Sequence, residues 1–216
     1  MKVNKNSSVY IITYATVMVV VVAAVLATAA MVLGPVQNAN VERETKGAIL
    51  ASIGASVPTA EIEKAYAENI TEIAIPGAGD LKLYESRANG KHLYIVPLAG
   101  SGLWGPIWGY VALEGDWNTI SGVVFDHKGE TPGLGAEITT PAFTGQFVGK
   151  KLFDAGGNLT GITVLKGAGA SRGNDHAVDA ISGGTITSRA VENMIRATLA
   201  EYKSYIETQR NNEGAE

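Results

Sequence analysis

From 179 to 188 the chain reads DAISGGTITS, a glycine-loosened stretch ending in the hydroxyl side chains of Thr185, Thr187 and Ser188. Gly183 and Gly184 have no Cβ, so they allow positive φ and let a phosphate or a ring approach the backbone closely. A long helical pattern follows, beginning near Arg189, and a helix start offers unpaired amides and the positive end of a dipole to an anion. Thr185 would then stand where a phosphate is already stabilised. The same residues equally suit a helix-capping loop without any ligand, because Ser and Thr are ordinary before helices.

Two further stretches could carry chemistry. Glu130 to Glu137, ETPGLGAE, places Pro132 in a turn and opens the backbone with Gly133 and Gly135 around Leu134. It would present amides and one apolar side chain, or simply connect a strand to a helix. Gly102 to Tyr110, GLWGPIWGY, holds Trp104 and Trp108 between glycines. These rings suit a core at a strand start or a wall against an aromatic ligand. His127 with Glu130, and Asp175, His176 and Asp179, bring ligand-capable groups together without an HExxH helix or a CxxC pair, so no metal site is expected. Ser171 and Ser182 have His176 nearby but no GxSxG elbow. Asp179 suits a carboxylate that caps amides or helps hold the 182–187 motif. The glycine run GAGASRG at 167–173 lies in no βαβ pattern and reads as a flexible approach to the Thr185 loop.

The elements that must position these groups begin with Val9 to Leu33, which contains no charge and no proline. At about 1.5 Å per residue this run exceeds a hydrocarbon core of roughly 30 Å, so it spans a bilayer. Ala27-Thr28-Ala29 offers a small-residue cleavage pattern, but the run is well beyond the roughly 7–15 apolar residues of a signal peptide, which favours a retained anchor. Lys2 and Lys5 precede it without acidic neighbours, whereas Arg43 and Lys46 are interleaved with Glu42 and Glu44, so the amino terminus is expected in the cytoplasm. The expected organisation is a cytoplasmic start at 1–8, a transmembrane helix at 9–33, a helical stalk at 34–70, one extracytoplasmic domain at 71–208 and a flexible tail at 209–216.

Helical periodicity falls at 40–54 and 58–69. Strand periodicity runs through Leu81 to Tyr84, His92 to Pro97, Ile107 to Leu113 and Thr119 to Asp126, punctuated at hairpin distances. A helix is predicted at Pro141 to Val148, a strand at Gly161 to Leu165, and a last helix from Arg189 to about Thr208. Its apolar positions Met194, Ile195, Leu199, Tyr202 and Ile206 fall on one side and would pack on the sheet. The fold class is α+β: a single transmembrane helix, then an antiparallel sheet packed with helices. The net charge of −4 gives no basic surface for nucleic acid. The absence of cysteine excludes disulfides, thiolate-held iron–sulfur clusters and c-type haem attachment within this chain. An electron carrier built on it needs an organic cofactor.

Three motifs, GLWGPIWGYVAL (102–113), HKGETPGLGAEI (127–138) and DHAVDAISGGTITS (175–188), together with QNANVERETKGAILASIG (37–54), closely resemble in order and spacing the C subunits of the sodium-translocating NADH:quinone reductases. The last of the three motifs resembles the flavinylation pattern (S/T)GATx(T/S) of that family and of Rnf complexes. The resemblance implies covalent FMN on Thr185 through a phosphoester, installed by a separate flavin transferase that uses FAD and a divalent cation. It implies that Glu130, Thr131 and Leu134 line the flavin, that Leu103 and Trp104 flank its ring, and that Ser182, Gly183, Gly184 and Thr187 hold the phosphate and ribityl end. Lys166 matches a family lysine near the flavin. The implied role is electron relay within a six-subunit complex of the inner (cell) membrane that oxidises NADH, reduces quinone and exports sodium. The alternatives are the related G subunit of an Rnf complex and a non-redox, membrane-anchored binding module. Gly184 stands where the pattern has alanine, which implies a slightly looser loop.

Overall fold

The computed structural model describes residues 7–76, 81–87 and 90–213. Lys2 and Lys5, on which the expected orientation rests, and the last residues of the expected tail lie outside the described ones. The chain divides into two compact units, 1–45 and 46–216.

Helix α1 spans Ser8–Ser52, 45 residues, with Pro35 inside it. It is the one described helix long and apolar enough to cross a membrane. The span and the helix expected at 40–54 are therefore one element. Pro35 removes one ladder hydrogen bond, but the helix formers after it let the cooperative ladder continue.

In the second unit a 3-10 turn at Thr59–Glu61 leads into α2, Ile62–Asn69. A five-stranded antiparallel meander follows in the order β1–β5: Ile70–Ala74, Lys82–Ser86, Leu93–Ser101, Pro106–Glu114 and Ile120–His127. The period-two alternation buries two opposite sets of side chains. Tyr94, Val96 and Leu98 of β3 point into the larger core, with Ile107, Val111 and Leu113 of β4. Ile95 and Ala112 point the other way, to Ile49 and Leu50 of the last turns of α1 and to Ile62 and Tyr66 of α2. Aliphatic and aromatic residues on both faces are what a sheet covered on both sides requires.

The chain then passes a 3-10 turn at Gly135–Thr139, the short helix α3 at Pro141–Thr144 and another 3-10 turn at Gly145–Phe147. The single helix expected at Pro141 to Val148 is thus two short pieces. Strands β6, Thr163–Leu165, and β7, Ala177–Asp179, pair in parallel. Helix α4, Thr185–Glu213, closes the larger core and runs past the end expected at about Thr208, so 209–213, expected as flexible tail, are helical. Its Met194, Ile195, Leu199, Tyr202 and Ile206 are buried there.

Candidate functional site

Helix α4 begins at Thr185, not near Arg189. The β-branched run Thr-Ile-Thr has a lower helix propensity than the residues after it, which makes it read as loop. The structure overrides that preference by tying the first turn down. Ser188 donates from its amide and its hydroxyl to the Gly184 carbonyl, at 2.9 and 2.8 Å, and its hydroxyl accepts from the Ile181 amide at 3.1 Å. Ahead of the helix, the Gly184 amide donates to the Ile181 carbonyl at 3.0 Å, closing a turn in which Gly183 has φ +76°. Only glycine takes that conformation freely. Thr185, Ile186 and Thr187 form the first turn, whose amides have no acceptor one turn back along the chain.

Two other segments meet this turn. The β3–β4 connection folds back on itself, with the Gly102 amide donating to the Gly105 carbonyl at 2.7 Å. The loop after β5 is tightened by the Leu134 and Ala136 amides, both donating to the Thr131 carbonyl at 3.1 Å. They converge because β4 starts where β5 ends, Ile107 opposite His127. Between the three segments lies a cleft of about 160 Å³, walled by Leu103, Trp104, Leu134 and Ile186 with Thr185 among its lining residues.

Glu130 joins the three. The residue is only 4% exposed, and its carboxylate accepts from the Trp104 amide at 2.9 Å and the Thr187 hydroxyl at 2.6 Å. Its own amide donates to Nδ1 of His127 at 3.2 Å. Two close approaches make room for it. A Cβ on Gly102 would stand 2.4 Å from Oε1, and one on Gly135 would stand 2.4 Å from Oε2. Burial alone would raise the Glu130 carboxyl. Hydrogen bonds from Thr187, Trp104 and Leu103, with His127 nearby, outweigh it and hold the group below the ordinary glutamate range.

The cleft brings together Leu103, Trp104, Glu130, Thr131, Leu134, Gly183, Gly184, Thr185 and Thr187. Lys166, Asp179 and Ser182 are outside its lining. Asp179 instead accepts from the amides of Gly169 and Ser171, the latter at 2.7 Å, and so closes the 167–173 loop. Those hydrogen bonds, from Ser171 first, hold its carboxyl below the usual range. Thr187 is 1% exposed with its hydroxyl committed to Glu130, so it is a latch and not a free phosphate donor. At Gly184, where the pattern has alanine, an added methyl would be crowded. A Cβ there would lie 2.8 Å from the Leu134 carbonyl oxygen, closer than such contacts allow. Ile186 and Gly135 also line the cleft and were not foreseen. Had the helix been started at Thr185, Ile186 would have stood out as an exposed apolar residue in its first turn. The tryptophans divide as well: Trp104 is 69% and Trp108 38% exposed, while the buried indole is Trp117. A larger hollow of about 490 Å³, between Ile75, Leu81 and Tyr205, has no glycine turn and no helix start among the described residues that line it.

Of the hydroxyl groups on the first turn of α4, those of Thr187 and Ser188 are buried and bonded. Thr185 is half-buried in the cleft, and among the described residues its hydroxyl has no hydrogen-bond partner. An anion at this place would meet free amides and the helix dipole.

The model of the FMN-binding domain family matches residues 102–200, a stretch that holds all three segments of the cleft. The C subunit of the Na(+)-translocating NADH-quinone reductase of Neisseria meningitidis serogroup B is 33% identical over 210 residues, covering 78% of this chain and 80% of the relative. That of Haemophilus ducreyi is 30% identical over 236 residues, covering 90% of this chain and 91% of the relative. Among solved structures, the C subunit from Parabacteroides distasonis is 36% identical with a TM-score of 0.71, covering 81% of this chain and 96% of that one. The NqrC of Shewanella oneidensis is 26% identical with a TM-score of 0.68, covering 78% of this chain and 97% of that one.

Proposed function

Because the chain belongs to the family of Na(+)-translocating NADH-quinone reductase C subunits, we propose that it carries FMN as a phosphoester on Thr185 and relays electrons through it. The chain is an FMN-binding subunit of a membrane NADH:quinone oxidoreductase. The observation that supports Thr185 as the tether is its hydroxyl, which stands unengaged in the cleft beside two others that are buried and bonded.

Attachment from FAD would form a bond between Thr185 Oγ1 and the flavin-side phosphorus and break the phosphoanhydride. The hydroxyl proton is lost and AMP leaves. A separate flavin transferase supplies this step, as the resemblance implies. The residues present fit the product. The first-turn amides of α4 and the Gly183 turn would receive the phosphate, while Leu103, Trp104, Leu134 and Ile186 would flank the ring. Bound FMN accepts and releases electrons singly at its ring. The chain's part is to hold that ring where partners can reach it. A cleft of about 160 Å³ is smaller than the roughly 300–1,000 Å³ of pockets that engulf a ligand, so a ring held there would stay open to neighbouring subunits. In this reading the folded unit lies outside the cytoplasm of a bacterial inner membrane, within a six-subunit complex, anchored by α1.

The test is co-expression with the flavin transferase, followed by ultraviolet-excited fluorescence of the denatured band and an intact mass. A fluorescent band carrying one FMN is expected for the natural chain, and a dark band for Thr185→Val. A dark natural band, or a fluorescent Thr185→Val band, overturns the assignment.

A further inference from the structure

We infer that Glu130 is a positioning residue whose buried negative charge, fixed in the wall of the cleft, makes the bound flavin harder to reduce. The inference rests on the FMN reading above. Among the described residues Glu130 is the one charged side chain that is buried, and it lines the cleft itself. No lysine or arginine among those residues forms an ion pair with it. It is stabilised by donors alone, from Trp104 and Thr187, with His127 the titratable neighbour.

Joining three loops does not need a charge. A neutral side chain of the same length could accept from Trp104 and avoid the desolvation cost that a buried carboxylate carries. The sequence nevertheless places a carboxylate here, and the missing Cβ at Gly102 and Gly135 leaves room for its two oxygens. Hydrogen bonds spread the charge without cancelling it. Reduction adds an electron to a ring in the same cleft, and the repulsion between the two is much stronger in a partly dry site than in water. The fixed charge therefore favours the oxidised flavin, and Thr187, by donating to the carboxylate, sets how much of that field remains.

Spectroelectrochemical titration of the full chain, loaded with FMN by co-expression, separates this from a merely mechanical role. Glu130→Gln is expected to raise the first reduction equilibrium at least about tenfold, which is 59 mV for one electron. Thr187→Val keeps the charge and removes a donor, so it is expected to shift the equilibrium the other way. A cleft that had only loosened would move both variants in the same direction. Such a common shift, or an unchanged potential in Glu130→Gln, overturns the inference. Where Glu130→Gln does not fold, the sign of the Thr187→Val shift decides. A natural chain that takes up no flavin overturns the FMN reading instead, whereas flavin bound with equal potentials in all three overturns only the role of Glu130.

Discussion

A carbonyl oxygen, that of Leu134, lies 2.8 Å from where the methyl carbon that Gly184 lacks would sit, and the Ile181 side chain is 2.9 Å from the same point. Gly184→Ala should therefore push the Leu134 loop away from the Thr185 turn and cost about 1–3 kcal/mol, as overpacking does; urea unfolding of the two chains measures it, and equal midpoints would mean the loop yields freely. Glu130 gives a second measurable quantity. Its folded-state carboxyl titrates below the ordinary glutamate value, which is about 4.3. Its contribution to stability is thus fully present above that value and is lost as pH falls from there through the lower folded value. Asp116, Asp154, Asp179 and Glu85 are lowered as well, so the natural chain must be compared with Glu130→Gln. The natural chain should lose stability more steeply below about pH 4.3; parallel curves would remove Glu130 from the account. At this scale the motif made Thr185 and Glu130 legible. What could not be read was that Thr187 spends its hydroxyl on Glu130, since that contact joins residues 57 positions apart.

Strands β2 to β5 were readable because each alternates over five residues or more between turn residues. Strand β1 was not: its residues follow α2 without a turn between them, and no element was expected between the helix at 58–69 and the strand from Leu81. Strands β6 and β7 have three residues each, too few for a period, and their parallel pairing is set by tertiary packing and not by a hairpin signal. The end of α1 shows how an element can belong to two tasks. Ile49 and Leu50, both 1% exposed, cover the face of the sheet that carries Ile95 and Ala112. A chain beginning at Lys46 should keep the melting temperature of the folded unit, whereas one beginning at Gly54 should lose roughly 3–6 kcal/mol, the burial of two large aliphatic side chains. Thermal unfolding of the two truncations decides it, and indistinguishable melts would show that this helix end contributes nothing to the sheet.

At the scale of the molecule, the chain joins a helix long and apolar enough to cross a membrane to a folded unit whose cleft, in the proposed reading, would hold the flavin. In the proposed reading, which the positive-inside pattern supports, the folded unit lies outside the cytoplasm. A phosphatase that is active only outside the cytoplasm, fused after Glu216, should be active in cells; an inactive fusion with a folded domain reverses the orientation. The shallow cleft has a further consequence. A ring left open to partner subunits is equally open to dioxygen, which takes electrons from reduced flavins wherever it can reach them. Inside the complex the partners would shield that face, but the isolated subunit would be a leak. Reduced anaerobically and then exposed to air, it should reoxidise quickly with formation of superoxide or peroxide, and assembly into the complex should slow that reaction. The openness that suits a relay would therefore make this subunit a source of reactive oxygen whenever it is made in excess of its partners.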